Sequence, residues 1–385
     1  MANKAGRLIS MLLICIYLLT NPAQAAAPAV KAHSAILMDA KTGQVLYDKN
    51  ANRHSAPAST TKIITAIIAI ESGRMEETVK VSPRAAATRG SSMHLYSGQE
   101  LTLRELLTGL MLRSGNDAAV AIAEHLAGSV DAFVEIMNRR AREIGAFNSN
   151  FRNPHGLSAA GHYSSAFDLA WLARYALALP AFADIVNTKE TEIEWLDRSG
   201  RERDVNLRNT NKLLWMFEDA DGVKTGTTGE AGPCLVSSAT RGSQKLIAVV
   251  LNDPSRWVDS MQLLKYGFDV YELYSFAEHG EVLASIGVEH GLHTEVDILV
   301  AAPAALVATT ADFAEISVEV DLPETIKAPI FKGQKVGEII FFVRDKAVKT
   351  VDLVAAKDVE EKTIARTLFN QLLRAFRYLA GWGLL

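Results

Sequence analysis

Pro57-Ala58-Ser59-Thr60-Thr61-Lys62 runs directly into Ile63-Ile64-Thr65-Ala66-Ile67-Ile68-Ala69-Ile70. The apolar run carries almost no polar face, so it reads as the opening of a buried helix. Residues three apart on a helix share a face, which brings the Lys62 ammonium back to the Ser59 hydroxyl. An ordinary lysine is protonated at neutral pH and cannot accept a proton. Burial on an apolar helix, beside a second cation, lowers its pKa and frees the lone pair. A serine at a helix N-terminus also sits among unpaired backbone amides, and its own N–H is placed to face a developing oxyanion. Alone, the pattern is weak, since about one or two Ser-x-x-Lys matches arise by chance in a chain of this length.

Two further motifs follow in order. Ser114-Gly115-Asn116 lies between the helix-like stretches from Leu101 to Leu112 and from Ala118 to Leu126, so it reads as an interhelical turn. There Ser114 is suited to relay a proton toward a leaving amine, and Asn116 to hydrogen-bond a substrate amide. Lys224-Thr225-Gly226 opens a strand hairpin that continues through Gly232 to Thr240, the turn Arg241-Gly242-Ser243-Gln244, and Lys245 to Leu251. A lysine and a threonine on a strand edging a cleft suit a carboxylate, and bare backbone at Gly226 lets an extended peptide approach. The N–H of Thr227 is then a second oxyanion donor. An earlier Lys41-Thr42-Gly43 lies between two short apolar runs and reads as a hairpin turn. Because it precedes the serine, it is set aside as a catalytic element.

The trio in this order resembles the signature of penicillin-binding proteins and class A β-lactamases, which carry Ser-Asp-Asn in the middle. The flanking stretches Leu37 to Gly43, Phe151-Arg152-Asn153-Pro154-His155-Gly156-Leu157, His162 to Ala170 and Asp221-Gly222-Val223-Lys224 extend the likeness over nearly the whole chain. The chain is similar to low-molecular-weight penicillin-binding proteins, serine D-alanyl-D-alanine carboxypeptidases of peptidase S11 type. The resemblance implies an α/β catalytic domain of the β-lactamase and transpeptidase fold. In it Ser59 is the acylated nucleophile, Lys62 the proton acceptor, Ser114 and Asn116 the second catalytic element, and Lys224, Thr225, Gly226 and Thr227 the substrate-binding strand. It implies no cofactor and, as partners, a peptidoglycan stem peptide ending in D-Ala-D-Ala, with β-lactams as acylating inhibitors. Class A β-lactamases add a Glu-x-x-x-Asn segment between the second and third motifs. Here the match is Glu202 to Asn206, close upstream of Lys224, and the middle motif reads Ser-Gly-Asn. Both departures favour the peptidase. A β-lactamase, an endopeptidase acting on crosslinked peptides and a non-catalytic wall-binding protein remain as alternatives.

The rest of the chain sets location and organisation. Lys4 and Arg7 precede an apolar stretch from Leu8 to Leu19, then Asn21-Pro22 and Ala23-Gln24-Ala25, the pattern of a signal peptide over residues 1–25. Removing Lys4 and Arg7 takes the formal charge from −4 to −6, which gives no whole-chain attraction to nucleic acid. The 49% apolar content supports a sizeable core. A catalytic domain is expected over 26–276. Period-two Val, Ile and Leu runs then predict a small β-sandwich over 281–354. In the tail, 358–385, Ile364, Leu368, Leu372, Phe376 and Leu379 recur at helical spacing while Arg366, Arg374 and Arg377 interrupt them. This predicts an amphipathic helix lying on a membrane surface, with the enzyme held at the outer face of the cytoplasmic membrane or in the cell-wall space. Without the leader Cys234 stands alone, and its strand context predicts burial. His155 and His162 lack the spacing of a metal site, and no metal is expected. Ser165 and Asp168 read as a capping box. Arg256 is a candidate additional charge for the substrate carboxylate.

Overall fold

The computed structural model describes residues 26–196 and 201–362. The expected leader and residues 363–385 of the expected tail helix lie outside them. The centre of the first domain is a five-stranded antiparallel sheet in the order Val45–Lys49, Ser34–Asp39, Gln244–Leu251, Gly232–Arg241, Ala220–Thr228. Its alternation explains why it is covered on both faces. Ile36, Met38, Val236, Ile247 and Val249 point into one core and Ala35, Leu37, Leu235, Ala248 and Val250 into another. The second core is closed by the helix Arg256–Val270, whose Leu263 and Leu264 are fully buried. The first core is shared with a helical layer that includes Lys62–Glu71, Leu103–Leu112, Asn116–Ala127, Val130–Ile144 and Ala166–Leu177.

The helix Lys62–Glu71 runs through the middle of that layer, with every residue from Lys62 to Ala69 buried. An amphipathic helix would leave one face wet, and this one is apolar all round because neighbours cover all sides. Ser59 precedes it on a 3-10 turn, Ala58–Thr61, rather than on the helix itself. The 3-10 turn continues into the α-helix, and that keeps the three-residue spacing effective. Ser129 and Ser165 cap their helices by accepting the N–H three residues on. The expected box at Ser165 is half formed, because the Asp168 carboxylate accepts from Ser149 Oγ at 2.7 Å instead.

Lys41-Thr42-Gly43 forms the turn between the first two strands, with Gly43 in the left-handed region at φ 74°. The strand Ala220–Thr228, which carries Lys224-Thr225-Gly226, ends the sheet order and has one unpaired edge. The Glu202 to Asn206 segment lies in a strand that pairs with Glu190–Leu196.

The second domain is all β. The strand Tyr271–Ala277 follows directly on the helix ending at Val270 and pairs with Ala304–Thr309, so β structure begins ten residues before the expected 281. A six-stranded sheet follows in the order Ile316–Asp321, Lys335–Val343, Lys346–Ala355, Glu295–Val300, Val282–Glu289, Thr325–Lys327, around Ile298, Ile339, Phe341 and Leu353. Residues Val359 and Glu361, placed in the expected tail segment, bridge instead to Ile330 and Gly291 of this domain. Among the described residues no single helix is long and apolar enough to cross a membrane.

Because Ile67 is fully buried in the central helix, Ile67→Ala should lower the unfolding free energy of the first domain by about 2–5 kcal/mol. Urea unfolding followed by tryptophan fluorescence measures this, and a loss under about 1 kcal/mol would contradict the packing described.

Candidate active site

Lys62 is fully buried, and its ammonium nitrogen has three partners. It lies 2.7 Å from Asn116 Oδ1, 2.7 Å from the His155 carbonyl and 3.1 Å from Ser59 Oγ. The first two are obligate acceptors, whereas the hydroxyl can also donate. A neutral lysine therefore spends its two N–H groups on Asn116 and His155 and turns its lone pair to Ser59. Burial is the main force pulling the Lys62 pKa well below 10.5, the Lys224 charge adds to it, and Asp117 opposes it. Burial also pulls Lys224 down, to about 7, with the Arg256 guanidinium assisting.

The second motif is held from below. Asp117 is fully buried and accepts from the backbone N–H of Met93 at 3.0 Å and of Leu95 at 3.1 Å, and from Ser92 Oγ at 2.6 Å. This fixes the start of the helix Asn116–Ala127. Asn116 is spent internally: beyond its bond from Lys62, its Nδ2 donates to the Arg89 carbonyl at 2.8 Å. In this state it orders the lysine, and a substrate amide would have to displace one of these bonds. Ser114 is buried in a left-handed backbone, φ 63°, two residues away. Among the described residues it makes no hydrogen bond to Ser59 or Lys62.

The third motif closes the site by backbone proximity. A Cβ on Gly226 would lie 2.9 Å from the Ser59 amide nitrogen, so only glycine lets this strand pass the turn so closely. Thr225 Oγ1 lies 3.1 Å from Thr210 Oγ1. Arg256 donates to the Gly226 carbonyl and to Thr227 Oγ1, each at 2.9 Å, which places a cation on the same strand. On the opposite side Gly156, at φ 90°, would put a Cβ 1.8 Å from the Ala58 carbonyl oxygen. Ala58 is itself left-handed at φ 48°, a conformation held by its surroundings that sets the entry angle of Ser59.

The structure thus brings Ser59, Lys62, Asn116 and Gly226 into contact, with Lys224, Thr225 and Thr227 along the adjoining strand. Sequence reasoning missed the His155 carbonyl, which joins Lys62 across 93 positions, and the anchoring by Asp117. The Asn-Pro-His-Gly run stands out in the sequence as a family stretch, but a backbone acceptor leaves no mark on side-chain spacing. His155 and His162 are pushed down to about 3 and about 4, chiefly by burial, so both rings are neutral. Among the described residues no group of three or more His, Cys, Asp or Glu could hold a metal ion. Cys234 is buried, and its thiol is pushed up to about 11.

A buried lysine facing a serine beside an open strand edge is an arrangement suited to serine acyl transfer, here followed by a β domain. Residues 21–255 match the peptidase S11 family, D-alanyl-D-alanine carboxypeptidase, and residues 271–361 match the penicillin-binding protein 5 C-terminal domain. The chain belongs to the peptidase S11 family. It is 36% identical to D-alanyl-D-alanine carboxypeptidase DacF of Bacillus subtilis over 92% of this chain and 95% of that one. It is 34% identical to DacC of Escherichia coli over 92% and 91%. The crystal structure of penicillin binding protein 5 from Haemophilus influenzae superposes with a TM-score of 0.75 at 30% identity, covering 87% of this chain and 99% of that one.

Gly156→Ala forces a side chain against Ala58 and should shift Ser59, cutting covalent penicillin labelling by about 100-fold. Gly73→Ala, at φ 69° in open space, carries comparable backbone strain without touching the site and should label normally. Equal labelling of the two variants would contradict the packing argument.

Proposed function

We propose that this chain removes the terminal D-Ala from stem peptides ending in D-Ala-D-Ala through an acyl-enzyme on Ser59, and that β-lactams acylate the same oxygen. The observation that carries this is the buried Lys62, with two N–H groups committed to acceptors and its third direction on Ser59 Oγ. Neutral Lys62 takes the hydroxyl proton as Ser59 Oγ attacks the carbonyl of the penultimate D-Ala. The amides of Ser59 and Thr227 hold the oxyanion. Lys224, Thr225 and Arg256 supply cations and a hydroxyl for the terminal carboxylate. As the tetrahedral intermediate collapses, the leaving amine of D-Ala takes a proton, with Ser114 as relay from Lys62. Water then attacks the acyl carbonyl as its proton passes to Lys62, and Lys62 returns that proton to Ser59 Oγ as the ester bond breaks. The family membership and the position of Glu202 within a strand support the peptidase reading over a β-lactamase.

In this account residues 1–25 direct export, the catalytic domain begins at 26, and the β domain is a spacer. The cationic amphipathic pattern of the tail supports attachment to the outer face of the cytoplasmic membrane, with the active site facing the wall.

Ser59→Ala should abolish D-Ala release from diacetyl-L-Lys-D-Ala-D-Ala. Near-normal turnover by that variant would sink the assignment.

The pH dependence follows from the lowered lysine. Acylation requires neutral Lys62, so its rate rises with pH along a limb centred well below 10.5. Replacing Lys224 by glutamine removes a like charge that holds Lys62 down, so the Lys62 pKa rises and the limb moves to higher pH. Second-order acylation by benzylpenicillin from pH 5 to 10 reads the limb directly. A limb that stays put or moves down in Lys224→Gln contradicts the coupling.

A further inference from the structure

Thr210 belongs to none of the three motifs and yet touches two of them. Its hydroxyl lies 3.1 Å from that of Thr225, and either oxygen can donate. Its backbone N–H donates at 3.0 Å to the carbonyl of Leu112, the last residue of the helix before Ser114. The cavity of about 560 Å³ on which Thr210 opens is lined by Arg113, Arg208 and Lys212 and by no acidic residue. Arg208 is offset by Glu190 at 3.2 Å, whereas Arg113 and Lys212 have no side-chain partner among the described residues. The local field therefore favours an anion.

The residues on either side hold Thr210 in place. Asn209 and Asn211 are both buried. Asn209 Nδ2 donates to the Thr188 carbonyl at 2.9 Å, and its Oδ1 accepts from the Asn211 N–H at 2.9 Å. Asn211 Nδ2 donates at 2.8 Å to the carbonyl of Gly222, on the same strand as Lys224, and its Oδ1 accepts from the Leu213 N–H at 3.2 Å. Each amide is bonded through both nitrogen and oxygen, which fixes the backbone between them. Thr210 itself is exposed, and its hydroxyl has one protein partner among the described residues, Thr225.

A ligand decides the direction of this hydroxyl pair. A threonine hydroxyl carries one proton and two lone pairs, whereas an ionised carboxylate only accepts. When a carboxylate meets Thr225, the single Thr225 proton must turn to it, and the Thr225 oxygen is left to accept. Thr210 is then the donor. The two hydroxyls form a directed chain from Thr210 through Thr225 to the carboxylate, in which each bond polarises the next and the last is charge-assisted.

We propose that Thr210 is a positioning residue for the substrate's terminal carboxylate, acting through Thr225 by donating to its hydroxyl and so aiming the Thr225 proton at the ligand. The inference rests on the proposed reading of Thr225 as a carboxylate contact, so the test separates binding from turnover. Thr210→Val keeps the shape of the side chain and removes the proton. Diacetyl-L-Lys-D-Ala-D-Ala and diacetyl-L-Lys-D-Ala ethylamide, which lacks only the terminal carboxylate, are titrated into Ser59→Ala protein by ligand-observed NMR. D-Ala release is followed in parallel with Ser59 in place. The carboxylate peptide should bind more tightly than the ethylamide. Thr210→Val should cut that preference about three- to tenfold and leave the ethylamide affinity unchanged. Thr210→Ser, which keeps the proton, should retain it. In turnover Thr210→Val should raise KM by the same factor with kcat held. In a Thr225→Val background Thr210→Val should cost nothing further, because the chain is already broken. An absent preference, one that Thr210→Val leaves intact, a loss shared equally by both peptides, or a loss that persists without the Thr225 hydroxyl overturns the inference. A Thr210-dependent preference in protein that releases no D-Ala supports the hydroxyl pair and removes the reaction, so the two readings fail separately.

Discussion

Everything at this site depends on keeping one ammonium group out of water. Lys62 has no solvent contact, and an unpaired cation in such a place is expensive. Among the described residues no carboxylate pairs directly with it to offset that cost. The buried Asp117 acts on Lys62 only through space, its oxygens being committed to backbone N–H groups and Ser92. The balance shifts toward deprotonation, and the same burial that penalises the charge suits the group to the proposed role of base. In the proposed mechanism the apolar helix behind Lys62 thus serves the chemistry as well as the core.

A second constraint is closeness of backbone. The Lys224 strand, the turn of Ser59 and the loop at Gly156 approach so tightly that a methyl group has no room at Gly226 or Gly156. That contact holds the strand against the turn of Ser59, and in the proposed mechanism a peptide pairs with its unpaired edge while the reacting carbonyl sits beside the Ser59 amide. Arg256 on the outer helix reinforces the arrangement by gripping the Gly226 carbonyl. The sheet supplies rigidity and the glycines supply access.

Much of this was legible in the sequence because it is local or periodic. The Ser59 to Lys62 spacing, the turn at Ser114, the hairpin after Lys224 and the buried Cys234 each follow from neighbours within a few positions. The runs at Glu295–Val300 and Lys335–Val343 were readable as strands, whereas Ala304–Thr309 (Ala-Ala-Leu-Val-Ala-Thr) lacks period-two contrast and was missed. What stayed hidden is long-range: the His155 carbonyl on Lys62, the internal use of Asn116, and the left-handed Ala58. None of these is encoded by a spacing, since each depends on which distant segment packs against the turn. The start of the β domain was misplaced because Tyr271–Ala277 follows the preceding helix with no intervening loop to mark the change.

The central claim is that Lys62 gives up its proton far more readily than an ordinary lysine because it is buried beside a second lysine. Titration of its side chain by NMR, with lysine Cε labelled with carbon-13 and the resonance assigned through Lys62→Arg, measures that property without reference to turnover. The account predicts a midpoint well below the ordinary 10.5. A Cε resonance that keeps its protonated shift up to pH 10 would contradict it.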